Sequence, residues 1–231
     1  MKTKIIVLKI TLTFAAALFL NACGSSGSSG SSNFTLEEQV IRAKHYVVSN
    51  SSYKFNGQVY AGGMAVDLSD QTKFPVGQIS TANIELHGVP GAMKIYQQPY
   101  SVVIATDFGG NLFEIEDVVG LETKAHALPT SGTATYTGQA FARNAQTGSL
   151  SYTVDFSLKT GSGSINGIAT HGAITLTNAP ISGGDISGAA FSSTLGWGEY
   201  ELDFFGPQAE EIAGDVDNFG IGNDVGFAGR K

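Results

Sequence analysis

Cysteine is almost absent: Cys23 is the single one in 231 residues. One thiol excludes an intramolecular disulfide, so the core must hold without a covalent staple. Charge is also sparse, at 14% of residues, and it leans acidic, with 20 Asp and Glu against 13 Lys and Arg. A net of −7 argues against nucleic acid or a bare anionic membrane surface as partner. The apolar run from Ile10 to Leu20, broken by Thr11 and Thr13, falls short of the roughly 20 residues that span a bilayer. Catalytic signatures are missing too. There is no G-x-S-x-G elbow, no P-loop and no H-x-x-x-H pair. Gly220-Ile221-Gly222 lacks the strand-to-helix setting of a dinucleotide fingerprint. The stretch from Asp215 opens like a calcium loop but carries Phe219 and Gly226 where ligands are required. A non-enzyme is expected; a periplasmic hydrolase would need a nucleophile motif that the chain does not have.

What is present begins at the N-terminus. Met1-Lys2-Thr3-Lys4 is a basic start, the apolar run follows, and small residues close it, which is the layout of a secretory signal. Leu20-Asn21-Ala22-Cys23 resembles a bacterial lipobox, in which cleavage precedes Cys and the thiol is lipidated. Residues 1–22 are therefore expected to be a lipoprotein signal peptide, with Cys23 as the lipidation site. Residues 23–32, Cys followed by Gly and Ser alone, read as a flexible tether. Gly24 stands where an inner-membrane retention signal would place Asp, so the outer membrane is the expected destination. Removing residues 1–22 takes away three lysines and no acid, leaving ten basic against 20 acidic side chains and a net of −10.

The body, residues 33–231, reads as mainly β. Thr35-Leu36-Glu37-Glu38 is a capping box that predicts a short helix to about Tyr46, with Leu36, Val40, Ala43 and Val47 as its stripe. Short strands and Gly-rich turns follow to about Ala127, with "SVVIAT" the most buried. Pro129 and Thr-Ser-Gly mark a boundary, giving a handle at 33–127 and a second domain at 128–231. Beyond it the alternation is clean: Leu150, Tyr152, Val154, Phe156 and Leu158 share one face of a strand. Phe141 breaks the period set by Tyr136, which predicts a bulge. Eight short strands ending at the terminus predict an eight-stranded antiparallel barrel, filled by Tyr136, Tyr152, Phe156, Trp197, Tyr200 and Phe204.

"WGEYELDFFGPQAEEIAGDVDNFG" and the terminal "VGFAGRK" resemble the end of the β-barrel domains of transferrin-binding protein B. The match runs through Phe204, Phe205, Gly206, Pro207, Ala209, Glu210, Glu211, Ile212 and Gly214, and "ATYTGQAF" is similar to that family's barrel-opening strand. The resemblance implies one helical turn from Pro207, with Glu210 and Glu211 in its first turn and Gly214 releasing the chain into the next strand. "KIYQQPYSVVIAT" looks like a segment of the handle that precedes the barrel in this family. A chain with one handle and one barrel is similar to the Slam-dependent surface lipoproteins and the hemophilins. That resemblance implies an outer-membrane translocator of the Slam type as partner and a surface-exposed, lipid-anchored monomer. It also implies a handle that binds haem or a host protein.

Haem needs an axial ligand and an apolar slot. His87 lies in "ELHGVPGAM", with Met93 and Tyr96 close in sequence; His126 sits at the domain boundary as a second ligand. These four, with the loops around 87–98, are the haem candidates. His45 reads as a helix surface residue and His171 as a barrel turn. No metal-ion site is expected. The functional expectation is capture of haem or another iron source through the handle, or alternatively adhesion, colonisation or binding of a host protein.

Overall fold

The computed structural model describes residues 34–48 and 52–231. The signal segment, Cys23 and the Gly/Ser tether lie outside the described residues. The first element, α1 (Leu36–Ala43), is set by its own cap. The Glu38 amide donates to Thr35 Oγ1 at 3.2 Å, and the Thr35 amide donates back to Glu38 Oε2 at 2.8 Å. The helix stops at Ala43, earlier than the spacing predicts, and buries none of its residues. Lys44 is the reason. It is buried, and its Nζ donates to the Gln98 carbonyl at 2.5 Å, so the chain turns inward there. His45 therefore leaves the helix and starts β1 (His45–Val47).

Six strands form the handle sheet, in the order β3 (Gln58–Tyr60), β2 (Tyr53–Phe55), β5 (Ile79–Leu86), β6 (Val89–Gln97), β7 (Ser101–Asp107), β8 (Phe113–Gly120). β1 pairs separately with β4 (Ala65–Asp67). The β5–β6 connection is a two-residue turn, His87-Gly88, with both φ values positive at 52° and 81°. That is the geometry whose twist matches flanking antiparallel strands. β7 is buried on both faces, which explains its unbroken apolar run. Val102 and Ile104 join Tyr46, Leu68, Phe74, Met93 and Ile95 in one core. Val103 and Ala105 join Tyr96, Phe141, Phe205, Ala213 and Ala228 in another.

The second core is the seam with a barrel. Strands β9 (Thr133–Phe141), β10 (Thr147–Asp155), β11 (Thr160–Ile168), β12 (Gly172–Ser182), β13 (Asp185–Ser192), β14 (Gly196–Phe205), β15 (Glu211–Asp217) and β16 (Val225–Arg230) pair in sequence order. β16 returns to β9 from Gly226↔Phe141 to Arg230↔Thr137, and the antiparallel ring closes as expected. Closure removes the free edge that a terminal strand would expose. Handle and barrel belong to one compact unit, Phe34–Lys231.

Side chains fill the barrel. Tyr152 and Tyr200 meet hydroxyl to hydroxyl at 2.9 Å, and Tyr200 donates on to the Thr177 carbonyl at 2.7 Å. Glycines admit these rings: a Cβ at Gly161 would lie 2.6 Å from the Tyr152 ring, and one at Gly188 2.7 Å from the Tyr200 ring. Tyr200→Phe strips one donor from the part-buried Thr177 carbonyl and leaves the buried Tyr152 hydroxyl short of a partner. We expect about 1–3 kcal/mol of destabilisation, read by urea unfolding.

Four expectations are corrected. No bulge interrupts β9, whose register with β10 and β16 runs unbroken. Phe141 is apolar because it lies on the outer wall beneath the handle, against Tyr96 and Phe113. Leu158 leaves the strand for the β10–β11 turn and is 73% exposed. Trp197 is not core; it stands on the outer wall, 66% exposed. Finally, Gly206–Ala209 form a turn and not a helical one, Glu211 begins β15, and Gly214 lies inside that strand opposite Leu202.

Candidate functional site

The sequence-derived haem candidates occupy separate settings. His87 is the exposed first residue of the β5–β6 turn. Met93 is buried in the handle core. Tyr96 lies three residues further along β6, so it points to the opposite face. There its hydroxyl accepts from the Gln139 amide at 3.2 Å, within the seam. His126 is exposed on a short 3-10 turn, Ala125–Ala127. The segment 89–97 is not a loop: β6 pairs with β5 along its length and with β7 over its second half. His171 is buried, with both ring nitrogens engaged. Nε2 donates to the Asn223 carbonyl at 2.8 Å, and Nδ1 accepts from Thr170 Oγ1 at 2.9 Å. Among the described residues, no group of three or more His, Cys, Asp or Glu is placed to hold a metal ion.

Sequence reasoning missed the group that locks handle to barrel. Glu211, at the start of β15, accepts from the Tyr100 amide at 3.0 and 3.1 Å and from Ser101 Oγ at 3.0 Å. Burial pushes its carboxyl up to about 7, and the hydrogen bonds and the Lys44 charge only partly offset that. Burial likewise pulls Lys44 down to about 8 against the opposing charge of Glu211. Thr123 adds a second fastening: its Oγ1 donates to the Gly206 carbonyl at 2.5 Å and accepts from the Ala209 amide at 3.2 Å. The signal for Glu211 was its place in the F-F-G-P-x-A-E-E-I run, but a buried acceptor and a helix-turn carboxylate look alike in sequence.

The barrel covers only part of the handle sheet. Its strands β15 and β16 pack against β7 and β8. Directly paired residues share a face, so Val59, Lys54, Glu85 and Pro90 form a row on the barrel-facing side. Val59 is 62% exposed, and Lys54 and Glu85 form an ion pair at 3.6 Å with both side chains in solvent. This β3–β2–β5 wing is therefore an uncovered sheet face. Where it meets the barrel, a crevice of about 140 Å³ opens between Ile79, Thr81 and Lys94 on the handle and Phe141, Ala142 and Gln146 on the barrel. Lys94 Nζ donates to Thr81 Oγ1 at 3.0 Å along its rim. Sites for drug-sized ligands take about 300–1,000 Å³. The crevice is suited to one or two side chains of a larger partner.

A twisted sheet mounted on the wall of a closed eight-stranded barrel defines a handle-and-barrel protein. Residues 126–216, from the 3-10 turn to near the end of β15, match the family model described as Factor H binding protein, C-terminal. The described fold is similar to transferrin-binding protein B. Intact Ap-TbpB, with its N and C lobes, aligns at a TM-score of 0.51 and 17% identity, over 78% of this chain and 45% of that one. A double mutant of the Haemophilus parasuis Hp5 protein gives 0.51 and 17%, over 78% and 44%. The isotype 1 protein of serogroup B Neisseria meningitidis gives 0.54 and 16%, over 79% and 43%. These identities show a shared fold, a TbpB-like barrel with its handle. The chain spans less than half the length of these matched proteins.

Proposed function

We propose that this chain is a surface lipoprotein, tethered through Cys23 to the outer membrane, that binds a host protein at the wing of its handle. The observation that carries the reading is the uncovered β3–β2–β5 face. An apolar residue and a solvated ion pair lie on it, and a narrow slot opens on the same side of the sheet further along β5 and β6, at Ile79, Thr81 and Lys94. A flat polar-and-apolar face of this kind suits a macromolecule, whose affinity comes from a few anchoring side chains. The likenesses support the class, since the matched proteins are named for binding transferrin and factor H. A translocator of the Slam type is proposed for export, with the barrel as its cargo module. Handle (33–127) and barrel (128–231) are the proposed division of labour.

The test is serum-protein binding by the immobilised full chain. We expect saturable binding that weakens more than about tenfold in Val59→Asp/Lys94→Glu. Equal binding by that variant contradicts the reading. Haemin titration of the same chain separates haem capture from protein binding. The reading expects no stoichiometric Soret shift. A saturable shift near one equivalent, lost in His87→Ala, would replace it with haem capture.

A further inference from the structure

The outer wall of β13 and β14 carries a second uncovered face. Phe191 and Trp197 are directly paired across these strands, with their rings T-shaped at 5.0 Å. They are 39% and 66% exposed, and Leu195 in the connecting turn is 36% exposed. Aromatic side chains this large contribute little to folding when left in water; their area is available to a partner. Along the same face of β14 the next residues are Glu199, Glu201 and Asp203. Asp185 lies opposite Asp203, Asp215 opposite Glu201, and Asp217 opposite Glu199. Like charges placed directly across strands are destabilising. Asp203 registers the repulsion: burial, then the charges of Glu122, Glu201, Asp185 and Asp215, push its carboxyl up to about 7.

We propose that the β13–β15 wall is a docking surface for a cationic segment of a partner protein. Its Arg or Lys side chains stack on Trp197 and Phe191 and run along Glu199, Glu201 and Asp203. A guanidinium over an aromatic face is attracted by the ring quadrupole. Charge complementarity selects the partner: a cationic segment removes the repulsion that an acidic or neutral one leaves in place. The closed barrel has no edge for strand addition, so recognition is by side chains on a face. This inference rests on the reading of the chain as a binding protein, but it assigns a face other than the handle wing.

Trp197 is the one tryptophan of the chain, so its emission reports this face alone. The probe is a ten-residue peptide alternating Arg and Gly, titrated into the full chain at low salt and at 0.5 M NaCl. A Glu–Gly peptide is the control. We expect a saturable emission change with the Arg peptide only, weakened about tenfold or more by salt. The same loss is expected in Glu201→Gln/Asp203→Asn and, by anisotropy of a labelled peptide, in Trp197→Ala. Circular dichroism melts check the folding of each variant, and Glu199→Gln, in the exposed part of the ladder, substitutes for any that unfolds. No saturable change, or unchanged affinity in folded charge variants, overturns the proposal. Shielding of Trp197 by a second copy of the chain, seen by sedimentation, also overturns it. Serum binding that survives Trp197→Ala but fails in Val59→Asp/Lys94→Glu would leave the handle reading intact while the peptide result decides this one.

Discussion

Glu211→Ala is expected to cost about 3–5 kcal/mol and to release the handle from the barrel. Removing a buried acceptor leaves each donor that faced it unsatisfied, at roughly 1–3 kcal/mol apiece, and takes away the charge that opposes Lys44. The structure concentrates the loss in one place. Lys44 stays buried without its opposing charge, and the Tyr100 amide and Ser101 hydroxyl lose their acceptor. Limited proteolysis should cut the handle of the variant while the barrel, closed on itself, resists. Glu211→Gln keeps an acceptor but not the charge, so it should fall between the two. Equal protection of the handle in wild type and Glu211→Ala would show that the apolar seam suffices without the carboxylate.

The same group predicts a pH dependence. Glu211 and Asp203 both titrate near 7 in the folded chain, well above their unfolded values. Folding then takes up protons between the unfolded value and about 7. Their stability contribution is present below the unfolded value and is lost as pH rises through about 7. Glu116 and Asp117, pushed up mainly by burial, act in the same direction. Lys44, pulled down to about 8, regains stability only above that pH. His171, pulled down by burial, works against folding only below its unfolded value, near 6.5. The melting temperature should therefore rise from pH 8 to pH 6, and the rise should be smaller in Glu211→Gln.

Gly138→Val is the second large effect, at least about 3 kcal/mol. Gly138 lies on β9 opposite Gly229 of β16, in the pairing that closes the ring. A Cβ there would run into the carbonyl oxygen of Ala228 and sit 2.7 Å from Gly229 Cα. Both obstacles are backbone, which cannot swing aside as a side chain does. For a chain of this size the loss corresponds to roughly 6–12 °C in melting temperature. An unchanged melt would mean that the ring tolerates an open or shifted closure.

Much of this architecture was visible in residues that alternate. Leu150, Tyr152 and Val154 face inward, and the polar residues between them face water, so the barrel strands and their count could be read directly. The exceptions are aromatic. Phe141 and Trp197 both point outward; one is buried because the handle covers it, and the other is exposed because nothing in the described chain does. Periodicity assigns a face, not what lies on that face. Met93 and Tyr96, close in sequence, lie on opposite faces for the same reason, since a three-residue step on a strand crosses the sheet. The wing was invisible because Val59, Lys54, Glu85 and Pro90 meet only through the β3–β2–β5–β6 pairing. The acidic ladder likewise needs the β14–β15 register, in which Glu201 meets Asp215.

Docking of a protein partner on the handle wing, as proposed, is tested by photo-crosslinking from that face. A benzophenone side chain introduced at Val59, and separately at Lys94, would be illuminated in serum on cells displaying the full chain. The same serum-protein adduct is expected from both positions and none from Leu158, in the β10–β11 turn. Adducts from Leu158 alone, or from no handle position while serum binding persists, would contradict it.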